Sequence, residues 1–587
     1  MRLNPARVAQ FRQAVALCEP SAFGLVDVEM FPGVTVYSTR STVVCKFDST
    51  ASKQLQQAGE EAARLIETKL GLPIAWGVQS DAAEPLVLWM EYFPGGARYD
   101  SAHLVLQALQ AAFAVVGAAT SGTKLHAEAA DRETARLGKL PARDIFPSSF
   151  VIAAARHADL PIDNVGGSSV AWQFGWGCRS EIFFVTGSLR DSVPGHQISW
   201  RKNVAKRMFR EIGLPTPEWR LIGADGDALR AAEEVGWPCV VKPIDRAFGA
   251  GVTANISNAA ELRAAVATAG RLSRTIMIEA HEPGDDHRLM VVDGRLIAAI
   301  KRVPASVTGD GRRTVEQLMA NLNAGRDGTR ATGFLEKVTP DAALQARLAT
   351  RKYSMSSVLP KGEQLQLRTV ANVSAGGSPT DVTDRVHPQV RGMAELLATS
   401  LGLRATGIDY VTSDISRGHA EVGGGFIEAN AMARVRVLIS GGRSELDVGA
   451  LLLGERPGRI PVTLIVGDGA ALAALSGPVR ERAAASPGRA AVSLDWAQIG
   501  ATELPMPGLD PFGAVSAVLR HLTVEELVIL WTPAEIAKFG LPVDQIAQAV
   551  LIGGTVREPC LAQICPYIIA VADANAAIEA AFASAAD

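Results

Sequence analysis

At 587 residues the chain is long enough for three or more domains of about 100–200 residues each, and its formal net charge of −3 offers no basic surplus for general binding to nucleic acid or an anionic membrane. Six cysteines (Cys18, Cys45, Cys178, Cys239, Cys560 and Cys565) show no paired metal-ligand spacing and read as free thiols in a reducing cytoplasm. The opening Met1-Arg2-Leu3-Asn4-Pro5 lacks the apolar core of a secretion signal; Leu104 to Ala119 is apolar but interrupted by Gln107 and Gln110, as in an amphipathic or buried helix rather than a membrane span.

A first α+β domain is expected at 1–165, with helices over Ser52 to Leu70 and Ser101 to Gly117 and strands at Thr35 to Tyr37 and Leu86 to Tyr92. His103, His126 and Glu128 lie there in no recognised catalytic or metal spacing and read as surface residues before they read as a hydrolytic site. Further on, Ser199 reads as the N-cap of a helix carrying Lys202, Val204, Lys206, Met208, Phe209 and Ile212, stopped by Gly213. Val240-Val241-Lys242-Pro243 is an apolar strand ending in a lysine. The loop after it, Asp245 to Val252, carries Gly249 and Gly251, whose N–H groups can approach phosphate oxygens; such glycines also make ordinary turns. Thr275 to Glu279 is a strand leading into His281 to Asp286, and Arg288 to Val292 with Arg295 to Lys301 forms a hairpin across Asp293-Gly294, a favoured type I′ turn, that delivers Lys301 and Arg302 to one end.

Val307 to Lys361 is polar, interrupted and helix-rich. Two strands follow, at Gly407 to Tyr410 and Phe426 to Asn430. Glu428 and Asn430 are two apart and share a strand face, and Asp409 can join them from a neighbouring strand. Two carboxylates and an amide oxygen suit Mg²⁺ that takes its other ligands from phosphates; polar edge residues facing water are the plain alternative.

This order of lysine strand, glycine loop, glutamate hinge, basic hairpin, aspartate strand and Glu-x-Asn strand resembles the ATP-grasp ligases. More narrowly it is similar to the cyanophycin synthetase family. Trp172-Gln173-Phe174-Gly175-Trp176-Gly177, Lys202 to Lys206, Gly284 to Leu289, Asn372 to Gly377 and Thr380 to Asp384 carry that closer match, which covers most of the chain and is strongest from about 166 to 437. The resemblance implies an α/β multidomain chain: an N-terminal α+β domain that holds polymer, an ATP-grasp domain at 166–455 with a lid insert at about 307–361, and a truncated Mur-ligase-like α/β domain at 456–587. It places Lys202, Lys242, Gly249 and Gly251 on ATP phosphates, Glu279 at the adenine, Asp286 on the ribose, and Asp409, Glu428 and Asn430 on Mg²⁺. Arg288 and Arg436 fall to the substrate, Arg302 to the acyl phosphate or oxyanion, and Ser374, Gly376 and Gly377 to the polymer end.

Two departures stand out. Where the family has Pro-Gly after the metal strand, this chain has Ala433-Arg434. Ile460 to Gly469 begins like the P-loop of a Mur-type ligase, but Ala470-Ala471-Leu472 replaces the Lys and hydroxyl that a P-loop needs. The pattern resembles the second type of cyanophycin synthetase, which joins preformed β-aspartyl-arginine dipeptides at one ATP site. The expectation is thus a cytoplasmic, homo-oligomeric ligase using ATP, Mg²⁺, a polymer primer and a β-aspartyl dipeptide, with no nucleic-acid or membrane partner. A ligase for another dipeptide or a single amino acid, or an inactive polymer-binding scaffold, are the alternatives.

Overall fold

The computed structural model describes residues 25–31, 38, 41–48, 52–70, 74–79, 86–92, 101–121, 124–139, 148–166, 168, 170–223, 226–246, 249–326, 335–368, 371, 373, 376–432, 435–553 and 559–582. The strand expected at Thr35 to Tyr37, and residues Cys18, Ser374, Ala433 and Arg434, lie outside the described residues. Among the described residues no helix is long and apolar enough to cross a membrane. Contacts divide the chain into two compact units: Val185–Gly454, and Met1–Phe184 taken with Glu455–Asp587.

In the unit Val185–Gly454, a four-stranded antiparallel sheet runs in the order Thr253–Ile256, Cys239–Pro243, Ile276–Ala280, Trp219–Ile222. Strand alternation gives this sheet two characters. Cys239, Val241, Ile276 and Ile278 turn to one face and pack with Ala231, Val235 and Leu262 of the helices Ala228–Val235 and Ala259–Gly270. Lys242 and Glu279 fall on the opposite face. The second helix starts cleanly because Asn258 accepts from the Ala260 and Glu261 amides.

A five-stranded antiparallel sheet follows, in the order Ser378–Asp381, Arg295–Val303, Asp285–Val292, Ala405–Thr412, Gly425–Ala431. The two strands of its hairpin meet at Asp293 and Gly294, whose φ angles of 49° and 74° make the expected type I′ turn. One face is apolar: Leu289, Val291, Ile408, Tyr410, Phe426 and Ala429 pack against Phe209, Leu397 and Leu401 of the helices Lys202–Glu211 and Pro388–Leu401. The region expected as an insert at about 307–361 folds round a small core of its own, in which Val307, Val315, Leu344 and Leu359 meet Leu365 just beyond it.

The helix with Lys202 and Lys206 is present at Lys202–Glu211, but Ser199 does not cap it. Arg201 is the N-cap residue, without a side-chain cap. Ser199 sits in the preceding helix Val193–Trp200, where its hydroxyl donates to His196 O. The serine that reads as a cap is used instead inside the preceding short helix.

The other unit holds an antiparallel sheet in the order Leu25–Phe31, Thr42–Phe47, Leu86–Glu91, Trp76–Gln79. It also holds a seven-stranded sheet in which five successive strands, Arg489–Val492, Glu526–Trp531, Val462–Val466, Gln548–Ile552 and the edge strand Ile568–Val571, are parallel. The Trp172 to Gly177 stretch belongs here, not with the ligase-like unit, which begins at Val185 rather than at 166. Its contacts explain why. Gln173 Nε2 donates to Leu519 O at 3.0 Å, Trp176 N to Gly458 O at 2.9 Å and Cys178 N to Val524 O at 2.7 Å. Trp176 joins the core of the parallel sheet beside Ile460 and Val462. The motif is a structural clasp.

Gly177 turns that clasp with φ +55°, and a Cβ there would lie 2.2 Å from Val524 O. Gly177→Ala should therefore destabilise this unit by about 2 kcal/mol or more, through strain and a backbone clash. Thermal denaturation followed by tryptophan fluorescence checks this, with an unchanged midpoint as the contrary result.

Candidate functional site

Three lysines and one carboxylate make the centre of the ligase-like unit. Lys202 and Lys206 are one helical turn apart and share a helix face. Lys206 Nζ lies 2.7 Å from Glu279 Oε2, and Lys242 Nζ lies 2.8 Å from Glu279 Oε1. The lysine strand and the Glu279 strand are hydrogen-bonded neighbours, so their register sets this contact. Burial pushes the Glu279 carboxyl upward, but Lys206 and Lys242 more than offset this and hold it below the usual carboxylate range. Burial pulls the Lys206 ammonium down to about 8, with Glu279 opposing the fall. Glu279 was expected at an adenine; here both of its oxygens are committed to lysines.

Lys202 Nζ donates to Arg246 O at 2.6 Å, at the start of the glycine loop. Gly249 and Gly251 both have positive φ (+76° and +72°), and a Cβ at Gly251 would lie 2.8 Å from Leu272 Cδ1. The glycines are thus needed for the turn itself. Burial lowers the Lys202 pKa; Glu428 raises it, Lys242 lowers it further, and Asp245 and Glu279 raise it. Lys202 therefore feels the glycine loop, the Glu279 cluster and the Glu428 strand at once.

The polar face of the five-stranded sheet brings the remaining candidates together. Asp409 stands opposite Arg288 on one side and Glu428 on the other. Arg288 Nε and Arg302 Nη2 each lie 3.1 Å from Asp409 Oδ1, and Arg302 Nη2 also lies 2.5 Å from Asp286 Oδ1. Arg288 Nη1 donates to Gly407 O at 2.8 Å. Burial works against the Arg302 charge, but Asp409 and Asp286 more than offset it and raise its pKa. Asp286, expected on a ribose, pairs with Arg302 here. Asn430 Nδ2 donates to Glu428 Oε1 at 3.1 Å and Gly407 O at 3.3 Å.

Among the described residues no three His, Cys, Asp or Glu side chains gather as a metal site. Asp409, Glu428 and Asn430 supply two carboxylates and an amide from adjacent strands. This all-oxygen set fits a Mg²⁺ ion that completes its shell with phosphate oxygens.

Other candidates are less central. Gly376 (φ +86°) and Gly377 lead into the strand Ser378–Asp381, and a Cβ on Gly376 would lie 2.5 Å from Val338 Cγ2. Arg436 is exposed at the start of the short helix Arg436–Ser440. The Thr380 to Asp384 stretch ends the strand Ser378–Asp381 and turns at Thr383: Asp381 accepts from Thr383 N and Thr383 Oγ1, and Arg443 Nε binds Asp381 Oδ2 at 2.7 Å. Its two short polar side chains thus fix Arg443.

Sequence reasoning gave three residues no role. Lys206 could have been found from its spacing to Lys202. Buried Arg326, which donates to Gly376 O (2.7 Å) and Ser378 Oγ (2.9 Å), and Arg443 carried no local signal.

In the other unit the P-loop-like segment follows the strand Val462–Val466. The helix Gly469–Ala484 opens with Asp468 accepting from Ala471 N at 2.8 Å. One of the first-turn N–H groups through which a helix binds phosphate is thereby taken by the chain's own carboxylate.

Comparison with known proteins agrees with the ligase-like unit. Residues 208–307 match the family described as D-ala D-ala ligase C-terminus. The chain is 36% identical over 305 residues to a cyanophycin synthetase of Nostoc sp. strain PCC 7120, covering 50% of this chain and 34% of that one. It is 34% identical over 307 residues to that of Synechocystis sp. strain PCC 6803, covering 50% and 35%. It is also similar to the glutathione biosynthesis bifunctional protein GshAB of Streptococcus mutans, 32% identical over 219 residues, covering 36% and 29%. The chain thus spans about a third of the length of these curated relatives.

Asp409 is the counter-charge of two buried arginines. Asp409→Asn should cost about 2–4 kcal/mol of stability, since it leaves both guanidinium groups short of a partner. Half-buried Glu428 should tolerate alanine with little loss. Chemical denaturation of the two variants checks this; equal midpoints would count against the buried ion cluster.

Proposed function

We propose that this chain is an ATP-dependent carboxylate–amine ligase that polymerises β-aspartyl-arginine dipeptides. The observation that carries the reading is Lys202, which donates to Arg246 O in the glycine loop at 2.6 Å and is within electrostatic reach of Lys242 and Glu428. This supports a phosphate-binding subsite beside the oxygen-ligand set. The cyanophycin synthetase relatives supply the substrate class.

The reaction has two steps. A C-terminal carboxylate of the polymer takes the γ-phosphoryl group of ATP, giving an acyl phosphate and ADP. The α-amine of the incoming dipeptide then attacks the acyl carbon, an amide bond forms, and inorganic phosphate and a proton leave. Such chemistry needs positioning and charge neutralisation above all. Lys202, Lys242 and the loop with Gly249 and Gly251 hold the phosphates, with Glu279 behind Lys242. Mg²⁺, when bound by Asp409, Glu428 and Asn430, neutralises phosphate charge. Arg288 orients a substrate carboxylate, and Arg302 faces the charge that develops at the acyl centre; Asp286 and Asp409 hold these two arginines in place. Ser374, Gly376, Gly377 and Arg436 accommodate the polymer end. Residues 1–165 hold polymer, 307–361 cover the site, and 456–587 is a degenerate Mur-ligase-like domain with a structural role. The protein acts as a cytoplasmic homo-oligomer. A ligase that adds a single amino acid is the second reading, favoured by the similarity to GshAB.

Glu428→Ala should lower the rate at least ~10³-fold, about 4 kcal/mol of barrier, with the fold intact. Phosphate release at fixed Mg²⁺ measures it, and near-normal turnover would remove the metal assignment. Product identity decides between the two readings. With β-aspartyl-arginine and a primer, mass spectrometry should show a ladder spaced by whole dipeptides, one ATP consumed per step. Free aspartate and arginine should give none, because Ala471 replaces the lysine of a second ATP site. Growth from the free amino acids would overturn the dipeptide reading.

A further inference from the structure

Lys206 has no part in the reaction as drawn, yet it ties the site together. Its side chain is fully buried, 2.7 Å from Glu279 Oε2, and donates to Thr216 Oγ1 at 2.7 Å. Thr216 Oγ1 in turn donates to Phe426 O at 2.8 Å, two residues before Glu428 on the same strand. The ammonium also lies 5.6 Å from the centre of the Trp219 ring. One side chain therefore links the helix Lys202–Glu211, the sheet that carries Lys242 and the strand that carries Glu428.

The charge count gives this link a purpose. Glu279 is one carboxylate facing two ammonium groups. If Lys242 turns toward a phosphate, Glu279 keeps Lys206 and is never left as an unpaired buried charge, which would be costly. Without Lys206, Lys242 would be the carboxylate's sole partner. A phosphate would then compete with a buried ion pair for that ammonium. We propose that Lys206 is a positioning residue that keeps Glu279 paired and so frees Lys242 to bind an ATP phosphate. This rests on the ligase reading above.

Calorimetric titration of the full chain with Mg·ATP tests it. Lys206→Met should raise the Kd at least about tenfold. In steady-state assays the KM for ATP should rise far more than kcat falls. Adding Glu279→Gln to Lys206→Met removes the competitor and should bring the Kd back to within about threefold of the parent. A merely structural lysine predicts the opposite, a double variant as weak as the single one or weaker. Lys206→Gln keeps a donor for Thr216 but no charge, and carries the same expectation if the methionine variant does not fold, as judged by circular dichroism. A parent-like Kd in a folded Lys206 variant, or no recovery in the double variant, overturns the inference. If the parent chain itself binds no Mg·ATP, the ligase reading falls and this inference with it.

Discussion

The arrangement of the ligase-like unit depends on one carboxylate shared by two buried lysines. An isolated charge in this interior would be expelled or neutralised, so Glu279, Lys206 and Lys242 are tolerable only together. Their contact fixes where the helix Lys202–Glu211 crosses the sheet. It thereby fixes Lys202 over the glycine loop. Through Thr216 it also fixes the height of the strand that bears Glu428 and Asn430. The surplus positive charge of the cluster is what an anionic phosphate would meet.

Period-two alternation carries the rest. Each of the two sheets turns one face to helices and leaves the other for polar chemistry, with no residue asked to do both. On the five-stranded sheet, Leu289 and Ile408 go to the core while Arg288 and Asp409, their immediate neighbours, meet across two strands on the other face. Asp286, Arg302, Asp409 and Arg288 then form a row of alternating charge in which every member has an opposite neighbour.

Much of this was legible before any coordinates. The Asp293-Gly294 turn, the lysine strand, and the Asp409 and Glu428 strands follow from alternation and turn chemistry, which act over a few residues. The shared face of Glu428 and Asn430 followed from the same rule. What could not be read were partners set by tertiary approach. Glu279 meets Lys206 across more than seventy positions of sequence, and the pairing of Asp286 with Arg302 depends on hairpin register as well as its turn. Ser199 misled because a short helix ends just where a longer one begins. The Trp172 to Gly177 stretch misled in another way. It reads as the start of the ligase-like domain, whereas its backbone hydrogen bonds to Gly458 and Val524 make it part of the other unit.

That clasp bears on how the chain is made. Gln173 and its acceptor Leu519 are separated by 346 positions. The unit between them, Val185–Gly454, is continuous in sequence, while the unit that contains the clasp is assembled from two distant stretches. On the ribosome the inner unit can fold as soon as its last strands emerge. Trp176, which packs in the core of the parallel sheet, must wait uncovered until that sheet has been synthesised. Trp176 is thus a ring left for a holdase chaperone to shield during synthesis.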